Sequence, residues 1–353
     1  MKNNAQIIMD SEYIIKDIED RCPHLDTKFF QGKQVAISGA SGLIGTYLLA
    51  YFALLARHGD LGGVIALSHS PASGLTRDLI ERGGFTSLQL DMADYQQLAR
   101  IPRSDITIHA AGYAQPSLFM ANPVATLSIN VAATLALLHN TSPDGSFLFL
   151  SSSEVYCGLV GLPCQEVSCG TTTPYHPRSS YIEGKRGGEA ACAAFRNQGL
   201  RTISARLGDI YGPGTRPHDK RALNSFIEQA LTKGHIKLRD QGTALRSYCY
   251  ITDSLESLLN ILISGREQVY NVSAPYKSSI RELALLIGRL SGASVIFPST
   301  SNEVPGAPRA LDLDLSRLDA EFQKYDYLNM EQGLIRTIGW QRSLYEKEKK
   351  NDN

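Results

Sequence analysis

The run Val35-Ala36-Ile37-Ser38-Gly39-Ala40-Ser41-Gly42-Leu43-Ile44-Gly45 passes from a short apolar segment through three spaced glycines into a stretch that reaches Ala56 without a charge. Its length would suit a bilayer span, but the glycines divide it into a buried strand, a sharp turn and a helix. Apolar runs and helical patterns alternate on either side. Strands are expected at Val35–Ser38, Val64–Ser68, Thr86–Leu90, Ile106–His109, Phe147–Ser151 and Thr202–Arg206, with helices at Leu43–Ala56, Tyr95–Ala99, Pro123–Leu138 and Tyr181–Asn197. This alternation predicts an α/β fold, a Rossmann-like doubly wound parallel sheet.

After Arg206 the texture changes to the Gly/Pro-rich loop Gly208-Asp209-Ile210-Tyr211-Gly212-Pro213-Gly214, followed by helices at Ala222–Lys233 and Asp253–Ile263 and a further β-then-helix unit at Val269–Val272 and Ile280–Leu290. The expected division is an N-terminal extension (1–30), a dinucleotide-binding domain (31–208) and a smaller C-terminal substrate-binding lobe (209–345). Some segments of that lobe return to the sheet, and a frayed charged tail (346–353) follows. The extension holds an amphipathic segment, Ser11–Asp20, suited to packing on the domain or on an oligomer partner.

Composition narrows the function. The chain has 353 residues, 43% hydrophobic and 20% charged, with 35 basic against 35 acidic side chains. Such neutrality gives no general attraction to nucleic acid or to an anionic membrane, so neither is expected as a partner. An anionic ligand must be met by placed cations. Six cysteines form neither a disulfide framework nor a CxxC pattern, which predicts free thiols in the cytoplasm and no metal site. The N-terminus carries acidic residues where a signal peptide has its apolar core.

The glycine turn has a chemical reading. Gly39, Ser41, Gly42, Leu43, Ile44 and Gly45 form a strand-to-helix junction where a pyrophosphate can approach backbone amides at the positive end of a helix dipole. The second strand ends in Ser68-His69-Ser70, with no carboxylate to mark NAD; these side chains suit a ribose hydroxyl or a 2′-phosphate, with Arg77 nearby, so NADP is left open beside NAD, the expected cofactor. Asp91 and Met92 close the third strand, Asp91 either at the adenine or as a helix cap. Ala110 and Ala111 follow the fourth strand at the same edge.

Tyr181 and Lys185, four residues apart, share one face at the start of a helix. A cation beside a phenol lowers its pKa and prepares it to take a hydroxyl proton. Ser151-Ser152-Ser153-Glu154-Val155-Tyr156 ends the fifth strand, at the edge where doubly wound sheets bind ligands, and a serine there can share that proton.

With these residues the chain resembles the extended short-chain dehydrogenase/reductase family, in particular its nucleotide-sugar epimerases, dehydratases and decarboxylases. The likeness runs from about Gln34 to Ala320. The glycine loop resembles the family's GxxGxxG, His109-Ala110-Ala111 its HxAA strand and Asn130 the Asn of its NVxGT helix. The resemblance implies Ser152 as the catalytic serine, Tyr181 as base, and Lys185 as the residue that tunes Tyr181 and holds the nicotinamide ribose. It implies transient oxidation of the sugar C4 hydroxyl, with inversion, elimination or loss of CO2 deciding the subclass. Glu154 and the run Pro177–Arg186 look most like UDP-glucuronate decarboxylases, which carry STSEVYG and PRxCYxEGKR. Ser153 stands where 4,6-dehydratases have a catalytic Asp.

Arg246, within Arg246-Ser247-Tyr248-Cys249-Tyr250-Ile251-Thr252-Asp253, matches the family's RxFxYVxD, whose Arg meets the diphosphate, and Arg309 is a second candidate. Two positions depart from the pattern. Asp209 replaces a usual Asn that contacts the nucleotide sugar, and Leu311 falls at the position taken as the Arg that assists decarboxylation. Ser153, Asp209, Arg246 and Arg309 are the expected substrate contacts, with a nucleotide sugar as substrate. The helix from Tyr181 to Asn197 has a small-residue face, and the family likeness adds an expected homodimer. Two other readings stand beside the enzyme: an NADPH-dependent carbonyl reductase on the same fold, and a non-catalytic cofactor-sensing protein.

Overall fold

The computed structural model describes residues 11–22, 25–59, 61–299 and 306–351. Its centre is a seven-stranded sheet. In chain order the first six strands are β1 (Gln34–Ser38), β2 (Gly63–Ser68), β3 (Thr86–Gln89), β4 (Ser104–His109), β5 (Thr141–Ser152) and β6 (Arg201–Leu207). The chain then forms β7 (Asp209–Tyr211), β8 (His235–Lys237) and β9 (Leu245–Tyr250), followed by β10 (Val269–Val272), β11 (Lys277–Ser279), β12 (Ser294–Ile296) and β13 (Ala310–Leu311). The large sheet runs β10-β6-β5-β4-β1-β2-β3, every neighbouring pair parallel. Strand order reverses between β1 and β4, and the crevice at their C-terminal ends is where such folds take a ligand.

The apolar pattern of β5 shows how the sheet is covered. Side chains alternate along a strand, so Leu148 and Leu150 enter one apolar cluster and Phe147 and Phe149 the other. The larger cluster includes the Leu43–Arg57 and Ile251–Ser264 helices. The uncharged Val35–Ala56 run is therefore β1, a turn and a buried helix. No helix among the described residues is long and apolar enough to cross a membrane.

β9 gathers a second, small sheet with β7, β11 and β13. The described part of the N-terminal extension is packed on the main body. Ile14, Ile15 and Ile18 of the Ser11–Arg21 helix are buried, and Asp17 accepts hydrogen bonds from the Tyr47 and Tyr250 hydroxyls at 3.0 and 2.9 Å and pairs with Arg336. Residues 346–351, expected as a frayed tail, continue the Met330–Asn351 helix, while 352–353 lie outside the described residues. The single helix expected at Pro123–Leu138 is broken by a π-helical turn at Ser128–Ala132, a wide turn that often marks a functional site.

Candidate active site

At the crevice, β1 and β4 end side by side. Ser38 lies 2.6 Å from His109 Nδ1 and accepts the Ala111 amide at 3.2 Å, while His109 Nε2 is 3.1 Å from the Ile129 carbonyl. A carbonyl only accepts, so Nε2 carries the proton and Nδ1 accepts from Ser38. Burial and the nearby Lys185 push the imidazole down to about 3, which keeps it neutral. The glycines are dictated by space. Gly39 has φ +69°, and a Cβ there would meet the Ala110 carbonyl oxygen at 2.6 Å, while a Cβ on Gly45 would sit 2.2 Å from the Gly39 carbonyl oxygen. Gly42 caps the following helix without a side-chain hydrogen bond, so first-turn amides face the crevice for an anion. These residues fit a dinucleotide pyrophosphate.

Ser41 lies in the turn and its carbonyl accepts from Arg216 at 2.8 Å, while Leu43 and Ile44 pack against the core. Beyond β2, Ser68 donates to the Ser70 carbonyl, and the His69 ring lies 3.7 Å from Asp91. One of the two readings of Asp91 falls here. Asp91 accepts the Ala93 amide but caps no helix; that role belongs to Asp94, which accepts from Gln96. Met92 turns its side chain into an apolar cluster with Leu67 and Leu90, because burying the thioether there is more favourable than exposing it in the crevice.

The end of β5 leads into a 3₁₀ turn, Ser153–Tyr156. Ser152 accepts the Glu154 amide at 3.2 Å and lies close enough to Tyr181 to favour its ionised form. Ser153, also buried, sits beside it. Tyr181 and Lys185 come from the Ser179–Arg196 helix, which passes close to the π turn because Gly184 abuts Asn130: a Cβ on that glycine would lie 3.2 Å from the Asn130 Cβ. The Lys185 ammonium is anchored on β5. It donates to the Leu150 carbonyl at 2.7 Å and lies 5.8 Å from the Tyr181 ring centre. Burial pushes Tyr181 up to about 12 and Lys185 down to about 7, so without a bound cofactor the phenol keeps its proton. Asn130 donates to the Thr126 carbonyl, and its buried Oδ1 has no partner among the described residues.

The third part of the site faces the small sheet. Glu154 pairs with Arg178 at 2.5 Å, both side chains largely buried. The Arg178 guanidinium lies 5.2 Å from the Phe119 ring centre, and Phe119 stacks on Tyr181 with centroids 4.5 Å apart and 11° between planes. Asp209, the exposed first residue of β7, lies within electrostatic reach of Arg246, Arg221 and Arg178, and desolvation by the protein around it pushes its carboxyl up. Arg246 donates to its own neighbour's carbonyl, Leu245 O, at 2.7 Å. The Arg309 carbonyl accepts the Leu245 amide, placing that residue at the edge of β9. Leu311 is buried with Val155 and Tyr156, so no cation occupies its position.

Sequence reasoning assigned no role to Phe119, Arg178 or Arg221. Arg178 stood inside a quoted motif, three residues before Tyr181, but its pairing with Glu154 depends on the fold. Arg221, held by Asp219 at 2.7 Å, came from a loop whose only signal was its basic character.

A dinucleotide crevice joined to a buried Ser-Tyr-Lys set defines the class of a short-chain dehydrogenase/reductase-type enzyme. The NAD dependent epimerase/dehydratase family model matches residues 35–273, and the chain belongs to that family. The chain is 28% identical to UDP-glucuronic acid decarboxylase 1 of Xenopus tropicalis over 356 residues, covering 96% of this chain and 82% of that protein. It is 29% identical to UDP-glucuronic acid decarboxylase 6 of Arabidopsis thaliana, covering 84% and 85%. Among solved structures it is similar to an epimerase from Methanothermobacter thermautotrophicus, with a TM-score of 0.79 and 21% identity over 96% of this chain and 98% of that one. The likeness to that structure shows the fold.

Proposed function

We propose that this NAD-dependent enzyme transiently oxidises the C4 hydroxyl of a nucleotide-bound sugar. The placement of Ser152, at the end of β5, beside the buried Tyr181 phenol at the ligand edge of the sheet carries the reading. Residues 31–208 hold the cofactor, with the pyrophosphate on the turn of Gly39, Ser41, Gly42 and Gly45, the adenosine end near Ser68, His69 and Asp91, and Ala110 and Ala111 along the ring end. When bound, NAD supplies the two-electron acceptor and a positive charge beside Tyr181. Ser152 orients the substrate hydroxyl, and Tyr181 takes its proton. Lys185 holds the nicotinamide ribose and, with the cofactor's charge, brings the phenol down from about 12. The lobe from 209 to 345 supplies Arg246 and Arg309 for the diphosphate, with Asp209, Ser153 and Glu154 at the sugar.

The same reading makes the enzyme cytoplasmic, supported by six free cysteines. It makes the enzyme a homodimer through the helices around Val124, Leu127 and Leu135, whose apolar side chains are exposed. The test is incubation with UDP-, dTDP-, GDP- and CDP-sugars, followed by mass spectrometry. An isomer of unchanged mass means epimerisation, loss of water dehydration and loss of CO2 decarboxylation; no product, or net consumption of reduced cofactor, overturns the reading.

A further inference from the structure

Beyond the end of β5, a buried ion pair facing the polar groups of the substrate-end recess proposed here is left half-satisfied. Arg178 meets Glu154 through one contact, Nη2 to Oε1 at 2.5 Å. Both side chains are enclosed, 7% and 13% exposed, yet the adjoining atoms Arg178 Nε and Glu154 Oε2 have no partner among the described residues. A buried donor and a buried acceptor left without partners in one ion pair are costly unless a ligand completes them. The Asp209 side chain, within electrostatic reach of Glu154, makes no hydrogen bond or ion pair among the described residues, while its backbone pairs β7 with β9.

The other charges around the recess restrict what can enter. Arg178 is committed to Glu154 and Arg221 to Asp219, which it contacts through Nε and Nη2. Of these three arginines, Arg246 is then the one left for a diphosphate. A sugar hydroxyl can donate to Glu154 Oε2 and accept from Arg178 Nε. A carboxylate only accepts, and it would bring a third negative charge against Glu154 and Asp209 with no uncommitted arginine. An ammonium group only donates and would leave Arg178 Nε unmet.

We propose that this recess receives a hydroxyl of a neutral nucleotide-bound sugar, and that Asp209 is the residue that turns away a uronate. This rests on the nucleotide-sugar reading above, and it separates the chain from the curated relatives whose names specify glucuronic acid. In the NAD-loaded enzyme, calorimetry compares UDP, dTDP, GDP and CDP. The base that binds best then provides the glucose and glucuronate forms for measurement on wild type, Asp209→Asn and Asp209→Ser. The glucose form should bind at least about tenfold more tightly to wild type, and either substitution should narrow that ratio about tenfold. Equal or tighter binding of the glucuronate form to wild type, or an unchanged ratio in a folded variant, overturns the inference while leaving nucleotide-sugar binding intact. Should none of the nucleotides or their sugars bind, both readings fall together.

Discussion

Phe119 lies flat against Tyr181, 4.5 Å between ring centres, with the Arg178 guanidinium 5.2 Å from the Phe119 ring centre. The phenol expected to take the proton is thus held through an aromatic stack tied to the Glu154–Arg178 pair. An aromatic pair contributes about 0.5–1.5 kcal/mol beyond burial, so Phe119→Leu should lower kcat roughly threefold to tenfold. Steady-state kinetics alongside NAD titration checks this. Unchanged kcat would show that the stack does not position Tyr181.

Glu154→Gln separates the possible reactions. Glutamine keeps an acceptor for Arg178 but cannot take a proton. Inversion through a keto sugar should survive it with a modest loss, whereas a step that uses Glu154 as a second base should fall about 10²–10⁴-fold. Product analysis by mass distinguishes the two outcomes.

Lys185 gives a pH dependence whose sign follows from its burial. Below about 7 it is charged in both the folded and the unfolded chain, and folding bears the full desolvation penalty. As pH rises above about 7 the folded protein releases the proton, while the unfolded chain keeps it to about 10.4. The unfolded state then binds more protons, so this contribution makes the cofactor-free protein more stable as pH rises across that window. Urea unfolding at pH 6.5 and 9 should show a smaller rise for Lys185→Met than for wild type. Equal rises would place the titration elsewhere.

Asp17 fastens the Ser11–Arg21 helix to the fold by accepting from Tyr47 and Tyr250 and pairing with Arg336. Asp17→Ala leaves two buried hydroxyls without their acceptor. Arg336, 36% exposed, recovers part of its solvation in water. The net cost should be about 2–4 kcal/mol. Thermal unfolding reports it as a fall in Tm of roughly 5 °C or more. No change in Tm would mean the helix is held by its isoleucines alone.

Much of this was legible in the chain itself because it is local. The Val35–Gly45 run specifies strand, turn and helix within a few residues, and the β-branched segments at Val64, Ile106 and Val269 each became sheet strands. Tyr181 and Lys185 are joined by one helical turn, so their shared face could be read from spacing. What escaped depends on contacts between distant segments. No pattern around Phe119 indicates that it will stack on Tyr181, and the direction of the Lys185 ammonium is set by the Leu150 carbonyl on another element. The π turn at Asn130 escaped for a different reason, since an apolar helical period continues through it. Near the C-terminus, the charged segment suggested fraying, yet the helix continues through it to Asn351.

The most direct test of the account compares wild type and Tyr181→Phe, each loaded with NAD to the same occupancy, on whichever nucleotide sugar wild type converts. The phenylalanine ring keeps the stack on Phe119 and removes only the hydroxyl. The expected result is unchanged cofactor binding with turnover reduced about 10²–10⁴-fold. Turnover equal to wild type would contradict Tyr181 as the base and the mechanism built on it.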